Sequence, residues 1–414
     1  MTALQMTRRP LLAFIAATCA SPIALSQTGL SGTAAIDEFL DRAIADTHIP
    51  GLVALAVDAD GVLYAHVAGM RSETRNEPMT LDTIFNIASM TKPIATTAIM
   101  MLVEEGKLDL DDPIAKHVPE FEGRPVLATF NAADGSFTTR PATTELTIRH
   151  MLSHSSGLAY GFGSHTMTRL SAANPGPNAA TLPLLFDPGS EWAYSGGIAV
   201  VGRVLEQIEG KTLDVFLEER LFGPLGMDET AYVVPAENRA RVAPSFRMVD
   251  GALVESPVPE NVRSGVSGDG GLYSTAGDYV KFIQMILNDG AAPDGTRLLS
   301  RKSVRILTSN HLGDVRVSLQ DEPTPQLARA FPLGAGRDGF GLGFQVTGEH
   351  DDPNMRQPGS VSWAGIFNTE FWIDPETGVG AVLMMQYLPF YDAAAIETLS
   401  GFERRLYEAL AAAQ

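Results

Sequence analysis

Apolar positions near the N-terminus first follow the period of a helix and then that of strands. Side chains recur every three or four residues at Ile36, Phe39, Leu40 and Ile44. This spacing predicts an amphipathic helix, which the Pro-Gly pair at 50–51 ends. Two apolar runs then flank polar residues 58–61 in LVALAVDADGVLYAHVAG, and this pattern predicts a β-hairpin.

The C-terminal end shows a similar hairpin followed by a helix. The stretch NTEFWIDPETGVGAVLMMQYL predicts two strands around residues 374–378, and AIETLSGFERRLYEALAAA predicts a closing helix. Because hairpins occur at both ends, we expect one antiparallel sheet built from both termini, with the terminal helices covering a face.

Helical patterns joined by Gly- and Pro-rich connections dominate the middle of the chain. The predicted fold class is therefore α+β, an antiparallel sheet flanked by terminal helices with an inserted, mostly helical region. We place the α/β part in about 27–95 and 260–414 and the helical part in about 96–259.

The first 26 residues have the pattern of an export signal. Arg8 and Arg9 precede an apolar run from Leu11, and small residues occupy positions 24 and 26 before Gln27. We therefore predict a signal peptide at 1–26, a hydrolase domain at 27–414 and a periplasmic or secreted protein. The apolar run is too short to span a bilayer, and the arginine pair leaves twin-arginine and general export both open.

Composition narrows the function classes. The 414 residues are 45% apolar, enough for a sizeable core, and 30 basic residues face 49 acidic ones for a net charge of −19. This balance argues against a nucleic-acid partner. We also expect no stable membrane insertion, because no other segment is long and apolar enough. The sequence leaves the oligomeric state open.

One serine and one lysine have a spacing that carries chemistry. Of the six lysines, only Lys92 has a serine three residues earlier, Ser89, and it is the only charge between Asp82 and Glu104. Positions i and i+3 share a helix face, and Pro93 requires the helix to begin near residue 89. A buried lysine could then activate the Ser89 hydroxyl. The alternative is a capping serine beside a solvated lysine.

The surrounding blocks resemble a known family. In order they are TIFNIASMTKPI, GKLDLDDPIAKHVPEF, LTIRHMLSHSSGLAYG, FDPGSEWAYSGG, LFGPLGMDET, GDGGLYSTAGDYVKF and GSVSWAGIFNTEFW. This order is similar to that of the serine β-lactamase-like superfamily, which includes class C β-lactamases and penicillin-binding proteins. The pattern is closest to the family VIII carboxylesterases. The resemblance runs from about residue 33 to the end and implies a β-lactamase/DD-peptidase-like fold, more specifically than it implies a substrate.

The same resemblance implies a set of site residues. Tyr194 in YSGG takes the place of the second catalytic residue, and would share the general-base role with Lys92. The N–H groups of Ser89 and Ile366 would form an oxyanion hole. Substrate binding is expected from three further positions, which are Trp363, Gly365 and Gly196.

Two departures from the lactamase pattern favour esters. Gly196 stands where asparagine is usual, and Trp363 replaces the lysine of a K-T-G strand. We therefore predict an exported serine hydrolase that cleaves small-molecule carboxylic esters through an acyl-enzyme on Ser89, without metal or organic cofactor. A β-lactamase or D-Ala peptidase, an acyltransferase and a non-catalytic binding protein are the alternatives. His150 and His154 lack the adjacent glutamate of a zinc-protease helix, so we interpret them as structural.

Overall fold

A computed structural model describes residues 29–175 and 182–413. The predicted signal peptide, 1–26, lies outside the described residues, so it stays a prediction. The α-helices are α1 (Ala34–Asp46), α2 (Thr91–Glu104), α3 (Ile148–Leu152), α4 (His165–Ala173), α5 (Gly197–Glu209), α6 (Leu213–Leu217), α7 (Gly223–Leu225), α8 (Ala276–Leu287), α9 (Arg301–Thr308) and α10 (Ala393–Ala412).

The strands occur in runs between groups of these helices. They are β1 (Gly51–Val57), β2 (Val62–Ser72), β3 (Glu77–Pro78), β4 (Ile84–Asn86), β5 (Val126–Phe130), β6 (Phe137–Arg140), β7 (Phe246–Val249), β8 (Ala252–Glu255), β9 (Tyr273–Thr275), β10 (Gly339–Phe340), β11 (Gln345–Val346), β12 (Val361–Gly365), β13 (Thr369–Asp374), β14 (Val379–Met384) and β15 (Tyr387–Leu388).

The main sheet joins the two ends of the chain. Its order is β10-β11-β12-β13-β14-β1-β2-β3, and all neighbours are antiparallel. N-terminal β1 pairs with C-terminal β14, from Val53 opposite Met384 to Val57 opposite Gly380. Every residue of β1 is buried, which fits a central strand covered on both faces. The predicted α+β fold and both predicted terminal hairpins are confirmed.

The two faces of the sheet pack against different helices. Alternating residues of β1 face α1 and α10 on one side and α2 and α8 on the other. On the first side Phe402 of α10 meets Trp372 of β13, with ring centroids 5.6 Å apart. Burying each of these side chains stabilises the fold by about 2–3 kcal/mol.

The middle of the chain contains more strand than the helical patterns predict. Hairpins form from β5 with β6 and from β7 with β8. The first of them has a usable sequence signal, which is the Asp-Gly pair at 134–135 in its turn. Among the described residues, no helix has the length and apolar character needed to cross a membrane.

Helix α2 lies between the sheet and the helical region. The sequence predicts a single buried stripe at Ile94, Ala98, Met101 and Leu102, and these four side chains are buried. However, every residue from Thr91 to Leu102 is buried. The stripe is therefore too narrow a description, because the inserted helices cover the face that the pattern leaves to solvent.

Candidate active site

Ser89 sits in a short 3₁₀ turn, Ala88–Met90, between β4 and α2. The segment 270–273 fixes this turn from outside. The Ile87 N–H donates to the Leu272 carbonyl at 3.0 Å, and the Leu272 N–H donates to Thr91 Oγ1 at 3.2 Å. Ala88 adopts a left-handed φ of 43°, which costs a non-glycine residue about 1–2 kcal/mol. Such strain next to a candidate nucleophile is consistent with a functional constraint.

Lys92 is buried beside Ser89, with an exposed fraction of 1%. Its Nζ donates to Ser89 Oγ at 3.3 Å and to the Asp269 carbonyl at 2.6 Å. The same Nζ lies over two phenol rings, 4.8 Å from the Tyr194 centroid and 5.2 Å from that of Tyr160. The solvated lysine of the alternative interpretation is therefore wrong for this position.

Tyr194 is held by its own backbone and that of its neighbours. The Ala193 N–H donates to the His154 carbonyl at 3.0 Å, and the Ser195 N–H donates to His154 Nδ1 at 3.3 Å. The Tyr194 N–H donates to Gln320 Oε1 at 3.1 Å. The Tyr194 hydroxyl is buried and has no hydrogen-bond partner among the described residues. Lys92 thus contacts the ring face of Tyr194 and not its oxygen.

The buried His154 ring packs against the Tyr194 ring. It adopts a left-handed φ of 57°, and its ring lies 4.9 Å from the Tyr194 ring, 5.1 Å from Phe340 and 6.3 Å from Trp363, between centroids. Burial, aided by the Lys92 charge, lowers the pKa of His154 well below its usual range. A neutral imidazole fits the Nδ1 atom, which accepts from the Ser195 N–H; a structural role for His154 stays a prediction.

Strand β12 brings the third predicted block to the same place. The Trp363 and Tyr194 ring centroids are 5.0 Å apart. A Cβ on Gly365 would lie 2.4 Å from the Ile87 carbonyl oxygen, so a side chain there would push β12 away from the Ser89 turn. The expectation that Gly365 makes room for substrate thus has a second explanation within the fold. Ile366 follows directly at the end of this strand.

Gly196 faces a pair of residues that the sequence analysis missed. A Cβ at this position would lie 3.5 Å from Asp269 Oδ2 and 3.6 Å from the Tyr160 hydroxyl. Tyr160 donates a hydrogen bond to the Asp269 carboxylate. These two side chains occupy the space toward which a longer residue at 196 would extend. Both residues lie within the quoted blocks, but neither has a spacing to Ser89 that would have marked it.

Asp269 is ionised although it is largely buried. Burial alone would raise the pKa of its carboxyl group, but the Lys92 charge and hydrogen bonds from Ser267 and Tyr160 outweigh it and lower the pKa. The Ser267 hydroxyl donates to Asp269 Oδ1 at 2.6 Å. Burial, with the nearby Tyr194 and Asp269, raises the pKa of Tyr160 well above its usual value, so its hydroxyl stays protonated.

A separate cavity of about 70 Å³ lies between β12 and α10, behind Trp363. Ser89, Lys92 and Tyr194 do not line it; its walls include Phe331, Leu333, Arg356, Trp363, Glu370 and Tyr391. Burial raises the pKa of Glu370 well above its usual range, and Glu370 Oε1 has no hydrogen-bond partner among the described residues. No described group of three or more His, Cys, Asp or Glu side chains could hold a metal ion.

The chain belongs to the Beta-lactamase family, whose model matches residues 35–400. This match confirms the family resemblance seen in the sequence blocks. Because the relatives of this fold include esterases and acyltransferases, the chain is an enzyme of the serine hydrolase class.

Three similar proteins illustrate the range of the family. A lovastatin esterase from Penicillium rubens is 32% identical over 379 residues, covering 84% of this chain and 92% of the relative. A monacolin J acid methylbutanoyltransferase from Aspergillus terreus is 28% identical over 418 residues, covering 95% and 97%. The solved structure of a simvastatin synthase (LovD) mutant from Aspergillus terreus superimposes with a TM-score of 0.76 at 27% identity, covering 90% of this chain and 94% of that one.

Proposed function

We propose that this chain hydrolyses carboxylic esters through an acyl-enzyme on Ser89. Ser89 Oγ attacks the ester carbonyl, and its proton is taken up by the Lys92–Tyr194 pair. The N–H groups of Ser89 and Ile366 stabilise the developing oxyanion. The alcohol leaves with a proton, and water then releases the acid by the same steps.

The observation that carries this proposal is the Lys92–Ser89 contact. The buried Lys92 nitrogen lies 3.3 Å from the Ser89 hydroxyl oxygen, in the first turn of α2, whose residues Thr91–Leu102 are all buried.

Aromatic walls support an uncharged acyl or alcohol group. Phe331 and Trp363 both pack against Tyr194, with ring centroids 5.7 and 5.0 Å away. Trp363 occupies the position where a lactamase lysine would attract a carboxylate, and Gly196 offers no amide to a peptide-like substrate. We propose these two positions, with Gly365, as substrate-binding residues.

The decisive experiment compares esters and lactams side by side on the mature protein. A missing charge-assisted contact is worth about 1.5–3 kcal/mol. Two such losses lower kcat/KM for nitrocefin by about two to four decades relative to an enzyme that has both contacts. We expect p-nitrophenyl butyrate to be hydrolysed with a clearly higher kcat/KM than nitrocefin. A kcat/KM for nitrocefin equal to or above that for the ester would contradict the esterase proposal and favour a β-lactamase.

An acyltransferase is the second candidate, and one observation favours it. A methylbutanoyltransferase covers more of this chain than the lovastatin esterase does, at similar identity. Both reactions share the acyl-enzyme, and they differ only in whether water or an alcohol accepts the acyl group. Product analysis in the presence of increasing alcohol separates them. Transfer that exceeds hydrolysis at millimolar alcohol would support the acyltransferase.

We further propose export to the periplasm or medium after removal of residues 1–26. The charged start, apolar run and small residues before Gln27 support this proposal. Mass spectrometry of the protein recovered from its native host tests it. A mature N-terminus at Gln27 is the expected result, and a retained Met1 would contradict it.

A further inference from the structure

The cavity between β12 and α10 has room for a small molecule and a way in from the surface. Its volume of about 70 Å³ is roughly half that of an engineered cavity that binds benzene, and several times what one water needs. Leu333, Arg337 and Ser400 line it and are exposed, whereas Glu370 and Trp363 are only 7% and 6% exposed. The cavity therefore has an accessible rim and a buried interior, and it fits a molecule of about four non-hydrogen atoms.

One polar group in this interior lacks a partner. Glu370 lines the cavity, and its Oε1 is buried without a hydrogen bond to any of the described residues. A buried polar atom that makes no hydrogen bond destabilises the fold, so such atoms in natural proteins are normally paired. Glu370 Oε1 is thus the anchor that the cavity offers to a molecule inside it.

The charged side chains around the cavity are already paired with one another. Arg356 donates to both carboxylate oxygens of Glu403, and Arg337 Nε donates to Asp338 Oδ1 at 2.6 Å. Glu370 is neutral, because burial outweighs the Arg356 charge and raises the pKa of its carboxyl group well above the usual range. An ion that entered would lose its hydration without gaining an unpaired opposite charge, so the cavity favours an uncharged ligand.

The Glu370 carboxyl group also selects the kind of uncharged ligand. A protonated carboxyl group has an O–H donor and a carbonyl acceptor side by side. A primary amide has the complementary N–H donor and carbonyl acceptor, so the two groups can form two hydrogen bonds in one plane. Phe331, Phe371 and Leu399 supply buried apolar wall, which suits a short alkyl group attached to the amide.

We propose that this cavity is a binding site for a small primary amide, which pairs with the Glu370 carboxyl group through two hydrogen bonds. The amide carbonyl accepts from the Glu370 O–H, and an amide N–H donates to the Glu370 carbonyl oxygen. Ser89, Lys92 and Tyr194 do not line the cavity, so the site goes beyond the proposed ester hydrolysis and does not depend on it. The competing occupant is ordered water, which the experiments distinguish from an amide.

Three ligands of nearly equal shape test the hydrogen-bond pattern. Acetamide has both groups, acetone lacks the N–H donor, and acetate carries a charge. Each is titrated into the folded protein at pH 7 with ¹³C-methyl-labelled methionine, and the resonance of Met355, which lines the cavity, reports occupancy. Met355→Leu identifies that resonance among the 15 methionines. We expect saturable acetamide binding with a Kd of about 1–10 mM, within the limit that four non-hydrogen atoms set.

Acetone and acetate should bind at least about fivefold more weakly than acetamide, because each loses one of the two hydrogen bonds. Glu370→Met and Glu370→Gln form a matched pair of variants. Methionine removes the hydrogen-bonding group at similar length, and acetamide binding should fall at least about fivefold. Glutamine keeps a donor and an acceptor side by side, so binding should stay within about threefold of the wild type. The control is Glu397→Met, on an exposed position of α10, which should leave the Kd unchanged.

Three results would overturn the inference. The first is no saturable shift of the Met355 resonance up to about 100 mM acetamide, ten times the weakest expected Kd, which would leave ordered water as the occupant. The second is acetone or acetate binding as tightly as acetamide. The third is a folded Glu370→Met variant that binds acetamide like the wild type. If Glu370→Met does not fold, the comparison of the three ligands on the wild type decides. Absence of ester hydrolysis would sink the proposed function and leave this site untouched.

Discussion

Two largely buried basic side chains, Arg356 and Lys92, lie on opposite faces of the main sheet and differ in their polar contacts. Between the sheet and α10, Arg356 makes a direct two-pronged pair with Glu403, from Nε at 2.8 Å and from Nη2 at 2.7 Å. The Arg356 N–H also donates to the same carboxylate at 2.9 Å, and the guanidinium lies 4.9 Å from the Trp372 ring centroid. On the α2 side, Lys92 contacts Asp269 through a backbone carbonyl.

The difference concerns how completely each side chain is satisfied. Both carboxylate oxygens of Glu403 accept hydrogen bonds from Arg356. Burial alone would raise the pKa of Glu403, but the Arg356 charge and these hydrogen bonds lower it. Lys92, in contrast, donates one of its hydrogen bonds to the Ser89 hydroxyl. The direct Arg356–Glu403 pair holds a backbone segment against α10, whereas a lysine that is hydrogen-bonded to a serine hydroxyl is placed for chemistry. The comparison predicts that changes on the α2 side reduce activity and changes on the α10 side reduce stability.

The largest expected effect comes from Ser89→Ala. Removing the nucleophile should lower kcat/KM for p-nitrophenyl butyrate by about three decades or more. The melting temperature should stay near that of the wild type, because Ser89 is partly exposed and the change removes only its hydroxyl group. Labelling by a fluorophosphonate and peptide mapping checks the site directly. Normal turnover by a folded Ser89→Ala protein would show that Ser89 is not the nucleophile.

Lys92→Ala and Tyr194→Phe should follow, each with a loss of about two decades or more. Because both residues serve one proton path, the double variant should be little worse than either single variant. The measurement is kcat/KM for both singles and the double at the same pH. Multiplied losses would mean that the two residues do separate work.

On the α10 side, Glu403→Gln should destabilise the fold by about 3 kcal/mol at pH 7, because Arg356 keeps a buried charge without its partner. The folded-state pKa of Glu403 is lowered, so its contribution is present above its unfolded pKa and is lost as the pH falls through the folded value. Denaturant unfolding should therefore separate wild type from variant at pH 7 and bring them together in acid. The kcat/KM of folded Glu403→Gln should equal that of the wild type. A large loss of activity would contradict the prediction that changes on the α10 side affect stability alone.

Glu370→Gln should have the smallest effect, and the opposite sign. Burial raises the folded-state pKa of Glu370. Above the pKa of this group in the unfolded chain, only the unfolded chain releases the proton, so the free energy of unfolding falls as the pH rises. Removing the titration should raise the melting temperature at pH 7 by about 2 °C and leave it unchanged near pH 4. An equal effect at both pH values would show that the change acts through packing.

Much of the fold and part of the site could be predicted from local pattern. The hairpins β1–β2 and β13–β14 follow from alternating apolar runs around turn residues, and α10 follows from its period. The β5–β6 hairpin was missed because its strands are short and largely exposed, so they lack the apolar alternation that marks a strand against a core. The α2 stripe was too narrow because neighbours from elsewhere in the chain cover its remaining side.

The sequence by itself determined the spacing of Ser89 and Lys92, the identity of the Tyr194 and Trp363 blocks, and the departures at Gly196 and Trp363. These are properties of short segments, and helix and strand periods fix how neighbouring side chains project. Only the tertiary structure decided that Asp269 and Tyr160 surround Lys92, and that Lys92 lies on the ring face of Tyr194. Those contacts join α2 to segments more than 60 residues away in the sequence. No local period encodes them, because they exist only once the helical region closes over α2.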